Sequence, residues 1–284
     1  MSVTIQQLLS AKKYPICATF FTPAEALKGA VIIAPAMGVP QSYYAKFATW
    51  LSAQGYLVVT FDYSGMAASR EAANTSLKNI HVNVMDWADD AAIVLAELQS
   101  RAQGQKIYWI GHSLGGQLIG LMDQSNLLSK AITIAAGSGY WLENAPQLKR
   151  RVWLMWFIAV PLSTAVLGYF PGKRLNMVGD LPLGVIQQWR RWCLHQDYAV
   201  GVEGESVRAK YAAVTVPITS YSFSDDEFMS ANNIDSLHGF YTQSARDMNR
   251  IRPADVGVTR IGHFGFFRET YQDTLWHKVL HELT

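Results

Sequence analysis

The chain has 284 residues, half of them hydrophobic, and a formal net charge of +2. That length buries a sizeable core as one large domain or two small ones, and so balanced a charge excludes the clustered basic surface of a nucleic-acid binder. Two cysteines, Cys17 and Cys193, are too few and too far apart for a disulfide framework or a metal-spaced cluster. Free, buried thiols in a reducing compartment are expected. The opening MSVTIQQLLSAKKYP has neither a basic leader before an apolar run nor a small-residue cleavage site. The expectation is a cytoplasmic protein.

Along the chain, short β-branched or aromatic runs alternate with longer helical patterns. AVIIA (30–34) reads as a buried strand, QSYYAKFATWLSAQG as a helix ending at Gly55, and YLVVTFDY (56–63) as a second strand. Val84, Trp87, Ala91, Val94, Leu95 and Leu98 then recur at helical spacing. Asp89 and Asp90 fall off that stripe and read as a solvated helix face. KIYWIG (106–111) is a third strand running into a helix at Leu114, and AITIAAG (131–137) is a fourth. The alternation breaks near Ser138 and resumes at VPITSYSF (216–223). A last strand is expected in DVGVTRIG (255–262), then a terminal helix with Phe267, Tyr271, Leu275 and Val279 as its apolar stripe. Strands alternating with helices imply an α/β fold with a parallel sheet covered on both faces, here interrupted by a Trp-rich insertion.

The chemistry concentrates at KIYWIGHSLGGQLIGLM. Gly111-His112-Ser113-Leu114-Gly115 fits G-x-S-x-G, with a strand before it and a helix after it. A serine on so sharp a turn is strained, and side chains at either flanking glycine would collide with the neighbouring strand and helix. The turn lifts the Ser113 hydroxyl to the helix N-terminus, where the Leu114 N–H points at charge developing during acyl transfer. A plain phosphate-binding turn is the competing reading. No Gly-Lys-Ser/Thr follows, however, and the G-x-G-x-x-G pattern is absent.

A serine at its ordinary pKa is a poor nucleophile and needs a base. Of seven histidines, His112 lies inside the elbow, His81 precedes it, His195 is in the insertion, and His238, His277 and His281 lie on helices. His263, in IGHFGFF, sits on a glycine-flanked loop that can hang over the sheet edge beside Ser113. The base needs an orienting carboxylate, and FSDDEF offers Asp225 and Asp226 just after a strand. Adjacent residues point in different directions, so one faces His263 while the other caps the turn or the next helix.

The order Ser113, Asp226, His263 resembles that of the α/β-hydrolase superfamily over nearly the whole chain. The resemblance implies a mostly parallel central sheet flanked by helices, with a helical lid inserted late in the sheet. It places the core at 1–137 and 216–284 and the lid at 138–215. In many members the acid is the fourth residue of a G-x-x-D turn, which favours Asp226 and keeps Asp225 as the alternative. The family's His-Gly-x aligns with Pro35-Ala36-Met37, which makes the Met37 N–H the second oxyanion donor beside Leu114. DYSGMAAS resembles the family's D-x-R-G-x-G-x-S, with Ser64 and Ala67 in place of Arg and Gly. A group of bacterial serine hydrolases, esterase- or lipase-like, is most similar in its loops.

Within the insertion, 152–170 carries no charge and is bracketed by Arg150-Arg151 and Lys173-Arg174. At about 1.5 Å per residue such a helix nearly spans a hydrocarbon core. A single crossing there would put Ser113 and Asp226 on opposite sides of a bilayer, so no transmembrane span is expected. Pro161, Ser163 and Thr164 suggest a break into two shorter helices, and interfacial lipid contact stays open. The implied activity is hydrolysis of small-molecule carboxylic esters with a hydrophobic acyl group, without metal or organic cofactor. An acyltransferase, a serine aminopeptidase and a non-catalytic binding protein on the same fold are the alternatives. An aminopeptidase would need an acidic pocket, and the insertion supplies only Glu143, Asp180, Asp197, Glu203 and Glu205.

Overall fold

The buried apolar runs stack side by side because each, flanked by amphipathic helices, loses water from both faces at once. The computed structural model describes residues 1–283. Its strands are β1 (Ser2–Leu9), β2 (Pro15–Thr22), β3 (Gly29–Ala34), β4 (Tyr56–Asp62), β5 (Ile107–His112), β6 (Lys130–Ile134), β7 (Tyr169–Phe170), β8 (Leu181–Pro182), β9 (Ile218–Phe223) and β10 (Arg246–Ile251). Eight form one sheet in the order β1-β2-β4-β3-β5-β6-β9-β10, while β7 and β8 make a separate antiparallel pair in the insertion. Within the eight-stranded sheet β2 runs antiparallel to β1 and β4, and every other pairing is parallel. All residues of β3, β4 and β5 are buried. The Val84–Arg101 helix covers one face through Trp87, Ala91, Val94 and Leu98. The Ala45–Ala53 helix and the C-terminal segment cover the other, where Phe47, Phe266, Phe267 and Trp276 interlock.

This is the expected α/β-hydrolase architecture, with differences of detail. The β1–β2 hairpin had no counterpart in the expected elements. The last strand is β10, not 255–262: Pro253–Val256 is a 3-10 turn held by Arg252 and Asp255, and 257–261 is irregular. The sequence of β10, RDMNRI, is a charged sheet edge with no apolar signature. The terminal helix is broken into a 3-10 turn, a π turn (Gln272–Trp276) and His277–Glu282.

The insertion, entering after β6 and leaving before β9, is largely helical. Pro146–Leu167 is continuous rather than broken. A π turn at Met155–Ala159 precedes Pro161, so the widened turn absorbs the missing donor. By length and composition alone this helix could cross a bilayer. It lies instead against the protein through Val152, Met155, Trp156 and Val160, all buried.

Asp89 is exposed as expected, but Asp90 is buried. Its Oδ2 accepts from the N–H of Ser64 at 2.8 Å and from the Ser64 hydroxyl, and its Oδ1 has no partner among the described residues. Ser64, which stands where the resembled family carries Arg, supplies both of these hydrogen bonds. Burial outweighs them and lifts the Asp90 carboxyl to about 7. The unfolded chain ionises the same group near 4. Between those values the folded state holds the proton more tightly, so this contribution to stability falls as pH rises, by up to about 1.4 kcal/mol per unit. Asp90→Asn cannot titrate. In urea unfolding, the variant is expected to gain a few kcal/mol on the wild type from about pH 4 to about pH 8. A pH-independent difference would show that Asp90 titrates normally.

Candidate active site

Ser113 directly follows β5 and caps the short helix Leu114–Gln117, with φ 51° and ψ −113°. Its own N–H donates to the Ile134 carbonyl at 2.9 Å, which pins the strained residue to β6. A Cβ at Gly111 would overlap the backbone of Gly115 and Gly116, and one at Gly115 would overlap the Ala34 carbonyl of β3. Both flanking glycines are therefore required by close packing, as expected from the motif. The Trp109 indole N–H donates to the Gly115 carbonyl at 3.0 Å and braces the turn from beneath.

His263 lies on the Gly262–Gly265 helical turn rather than directly after a strand. Its Nδ1 is 2.9 Å from Asp226 Oδ2, and both side chains are buried. An ionised carboxylate only accepts, so Nδ1 carries the proton and Nε2 is left with a free lone pair. Asp226 Oδ1 accepts from the N–H groups of Phe228 and Met229 at 2.7 and 2.9 Å. Asp225 does not face the imidazole: its Oδ2 accepts from the Ile261 and Gly262 N–H groups at 2.7 and 3.1 Å. Glu227, which sequence reasoning passed over, accepts from the His263 N–H at 3.1 Å. Three consecutive acids thus hold one loop, two by its backbone and one by the ring.

Met37 follows β3 and is buried, as is Leu114. Neither N–H meets an acceptor among the described residues. The preceding Pro35-Ala36 is clamped on both sides, since Tyr63 donates its hydroxyl to the Pro35 carbonyl at 3.0 Å and the Ala36 N–H donates to the Tyr44 oxygen at 2.9 Å. Replacing the family's His-Gly with Pro-Ala therefore leaves a fixed loop.

His112 connects these parts. Its Nε2 is 3.0 Å from the His263 carbonyl, and its Nδ1 is 2.9 Å from the Tyr44 hydroxyl. A carbonyl only accepts, so Nε2 bears the hydrogen and Nδ1 accepts from Tyr44. Burial first, then the neighbouring His263, push His112 well below the ordinary histidine range, so the ring is neutral. Sequence reasoning found no role for His112 or Tyr44. A histidine within the elbow was the one available signal, and its partner 68 positions away was not visible.

A cavity of about 540 Å³ opens beside the loop bearing Met37, lined by Gly38, Gly65, Met66, Arg70, Lys173 and Asp180 among others. Its lining does not include Ser113, Asp226 or His263. Among the described residues, no cluster of three or more His, Cys, Asp or Glu could hold a metal.

The serine aminopeptidase S33 family (Hydrolase_4) matches residues 25–172, just over half of the chain. Among solved structures, a thermostable carboxyl esterase from Bacillus coagulans superposes with a TM-score of 0.71 at 12% identity, covering 100% of this chain and 98% of its own. A soluble variant of the monoglyceride lipase from Saccharomyces cerevisiae gives a TM-score of 0.70 at 13% identity, with 100% and 96% covered. The thioesterase domain of the curacin biosynthetic pathway gives 0.59 at 15% identity, with 99% and 100% covered. No curated protein sequence matches the chain. Taken with the elbow and the sheet order, these matches show that the chain belongs to the serine aminopeptidase S33 family of the α/β-hydrolases.

Proposed function

We propose that this α/β-hydrolase cleaves carboxylic esters with a hydrophobic acyl group, using Ser113 as nucleophile, His263 as base and Asp226 as its orienting acid. The observation that carries the reading is the 2.9 Å contact from His263 Nδ1 to Asp226, which leaves Nε2 able to accept a proton. Further support comes from the His112 contact that tethers the His263 backbone to the residue preceding Ser113.

In this mechanism His263 Nε2 takes the Ser113 hydroxyl proton as the oxygen attacks the ester carbonyl. The Leu114 and Met37 N–H groups receive the oxyanion, each worth about 3 kcal/mol in such sites. The imidazolium, stabilised by Asp226, then protonates the departing alcohol and leaves an acyl-serine. Water, deprotonated by His263, attacks that acyl group; collapse expels Ser113, which recovers the proton. The segment 138–215 acts as a lid on a core formed by 1–137 and 216–284.

The family's name raises peptide substrates, which need carboxylates to receive a free ammonium group. The five acids of the insertion are scattered, and all but the exposed Glu205 are closely engaged. Glu143 takes hydrogen bonds from Ser138 and Ser236, Asp180 pairs with Arg70, Asp197 with Arg208, and Glu203 accepts from Gln188 and Trp192. That distribution favours an ester over an N-terminal amine.

A lipid surface as the source of substrate is supported by the outer face of the Pro146–Leu167 helix. Trp153, Phe157, Leu154, Ile158, Leu162 and Val166 repeat every four residues and are exposed, Val166 at 81%. From 144 to 179 the sequence has no Asp or Glu, and its five Lys or Arg lie at 149–151 and 173–174. An apolar helical face with basic ends is suited to an anionic interface.

Intact-mass analysis after fluorophosphonate treatment is expected to show one adduct on the wild type and none on Ser113→Ala; an adduct on both, or on neither folded protein, rejects the nucleophile. Asp226→Asn is expected to lower kcat on a p-nitrophenyl ester by roughly 10⁴-fold by fixing the wrong tautomer. Asp225→Asn should leave the bulk of kcat intact while lowering the melting temperature; the reverse ranking would exchange the two roles. The double variant Leu162→Asp, Val166→Asp is expected to bind phosphatidylglycerol vesicles roughly tenfold or more weakly, with soluble-ester turnover unchanged. Equal vesicle binding by both proteins would remove the lipid surface from the proposal.

A further inference from the structure

The two edges of the main sheet are built differently. β10 carries Arg246, Asp247 and Arg250 among its six residues. Inserting charges along a free edge is how proteins discourage another strand from pairing there. β1 closes the opposite edge, and its eight residues, SVTIQQLL, include no charge, no proline and no glycine. Its register against β2 is unbroken from Ser2↔Thr22 to Leu9↔Pro15, so no bulge twists the edge away. Among the described residues, no element pairs with its outer side. Among the described residues, β1 thus has no charge, proline or bulge to blunt its edge, whereas β10 carries charge.

The free groups can be identified. Just past the ladder, the Ser10 N–H donates to the Tyr14 carbonyl across the turn. Backbone groups alternate sides along a strand, so the N–H and C=O of Leu9, Gln7, Ile5 and Val3 point outward. Three of these four odd-numbered residues are apolar and exposed, namely Val3, Ile5 and Leu9, with Ile5 at 78%, and Gln7 is the polar exception. On the even-numbered side Leu8 packs against the core and Gln6 bonds to Arg101, while Ser2 and Thr4 stay exposed.

We infer that β1 is the interface of a homodimer, in which two copies of Ser2–Leu9 pair antiparallel about a two-fold axis at Ile5 and join two eight-stranded sheets into one. A second copy is the occupant that the edge itself specifies. Outward N–H and C=O groups centred on Ile5 satisfy one another under that rotation, with Ile5 opposite its own copy and Val3 opposite Gln7. The apolar stripe then continues from one strand to the next on the same face. A neutral strand meets no like charge when it faces itself, whereas a charged partner would find nothing on β1 to pair with. A two-fold contact also closes on itself, leaving the charged β10 edges at the ends of the joined sheet. The inference does not depend on the ester-hydrolase reading.

Sedimentation velocity at micromolar concentration tests it on the full chain. The wild type is expected to sediment as a dimer, with the Val3, Ile5, Gln7 and Leu9 amides protected from hydrogen exchange. Ile5→Lys places two like charges opposite each other at the axis. Ile5→Pro removes an N–H that faces outward and spares the β1–β2 ladder. Each is expected to weaken self-association by roughly a hundredfold or more, giving a monomer with near wild-type thermal unfolding. A wild type that is monomeric throughout, or a dimer that survives both substitutions, would overturn the assignment.

Discussion

The site depends on one neutral imidazole. His112 receives a hydrogen bond from Tyr44, whose oxygen receives one from the Ala36 N–H, and His112 in turn donates to the His263 carbonyl. Every polarity in that chain follows from its two fixed ends. An amide N–H can only donate and a carbonyl can only accept, so the hydroxyl and ring between them each have one permitted orientation. The chain runs from the loop before Met37, through the residue preceding Ser113, to the backbone of His263. A second proton on His112 would have to displace the Tyr44 hydroxyl hydrogen, and burial makes that costly, pushing the ring well below the ordinary histidine range. Relative placement of the three loops is thus held by a network with no free rotor and no net charge.

The loop bearing His263 is held with the same economy. Asp225, Asp226 and Glu227 are adjacent, and three neighbouring acids in a sequence ordinarily mean a solvated charge run. Here the strand end sends them in different directions. Asp225 and Glu227 gather the N–H groups of Ile261, Gly262 and His263, while Asp226 takes the ring. Carboxylates bonded to backbone amides resist displacement more than surface ion pairs do, so the imidazole is aimed by its peptide as well as by its partner.

Much of this was legible in the sequence because it rests on periodicity and on steric exclusion. The four apolar runs became β3, β4, β5 and β6, and the glycines around Ser113 lie where a Cβ has no room. The sequence was silent where stability comes from edges and from long-range polar contacts. β10 is written in charged residues because its outer side faces water, and β1 shows only a faint alternation. Asp90 looked like a surface residue because helical spacing cannot report that Ser64, 26 positions earlier, supplies both of its donors. His263 was found by its glycine-flanked loop although the expected strand before it does not exist. What mattered was the carboxylate reached through folding, not the element preceding it.

The insertion is tied to the core in a way that side-chain patterns do not express. Gly38, one residue past Met37, approaches the insertion backbone so closely that a Cβ there would lie 2.6 Å from the Gly179 nitrogen. A Cβ at Gly179 would in turn lie 2.5 Å from the Gly38 carbonyl oxygen. Around that contact Asp180 accepts from the Lys173 N–H at 3.0 Å and pairs with Arg70 at 3.5 Å. The segment carrying the exposed apolar helix therefore rests, backbone against backbone, on the loop that presents the Met37 N–H. Two glycines in contact have no side chains to deform between them, so displacement of one backbone is transmitted to the other rather than absorbed. On this fold, the insertion and the loop bearing Met37 meet at a glycine pair where neither position has room for a Cβ.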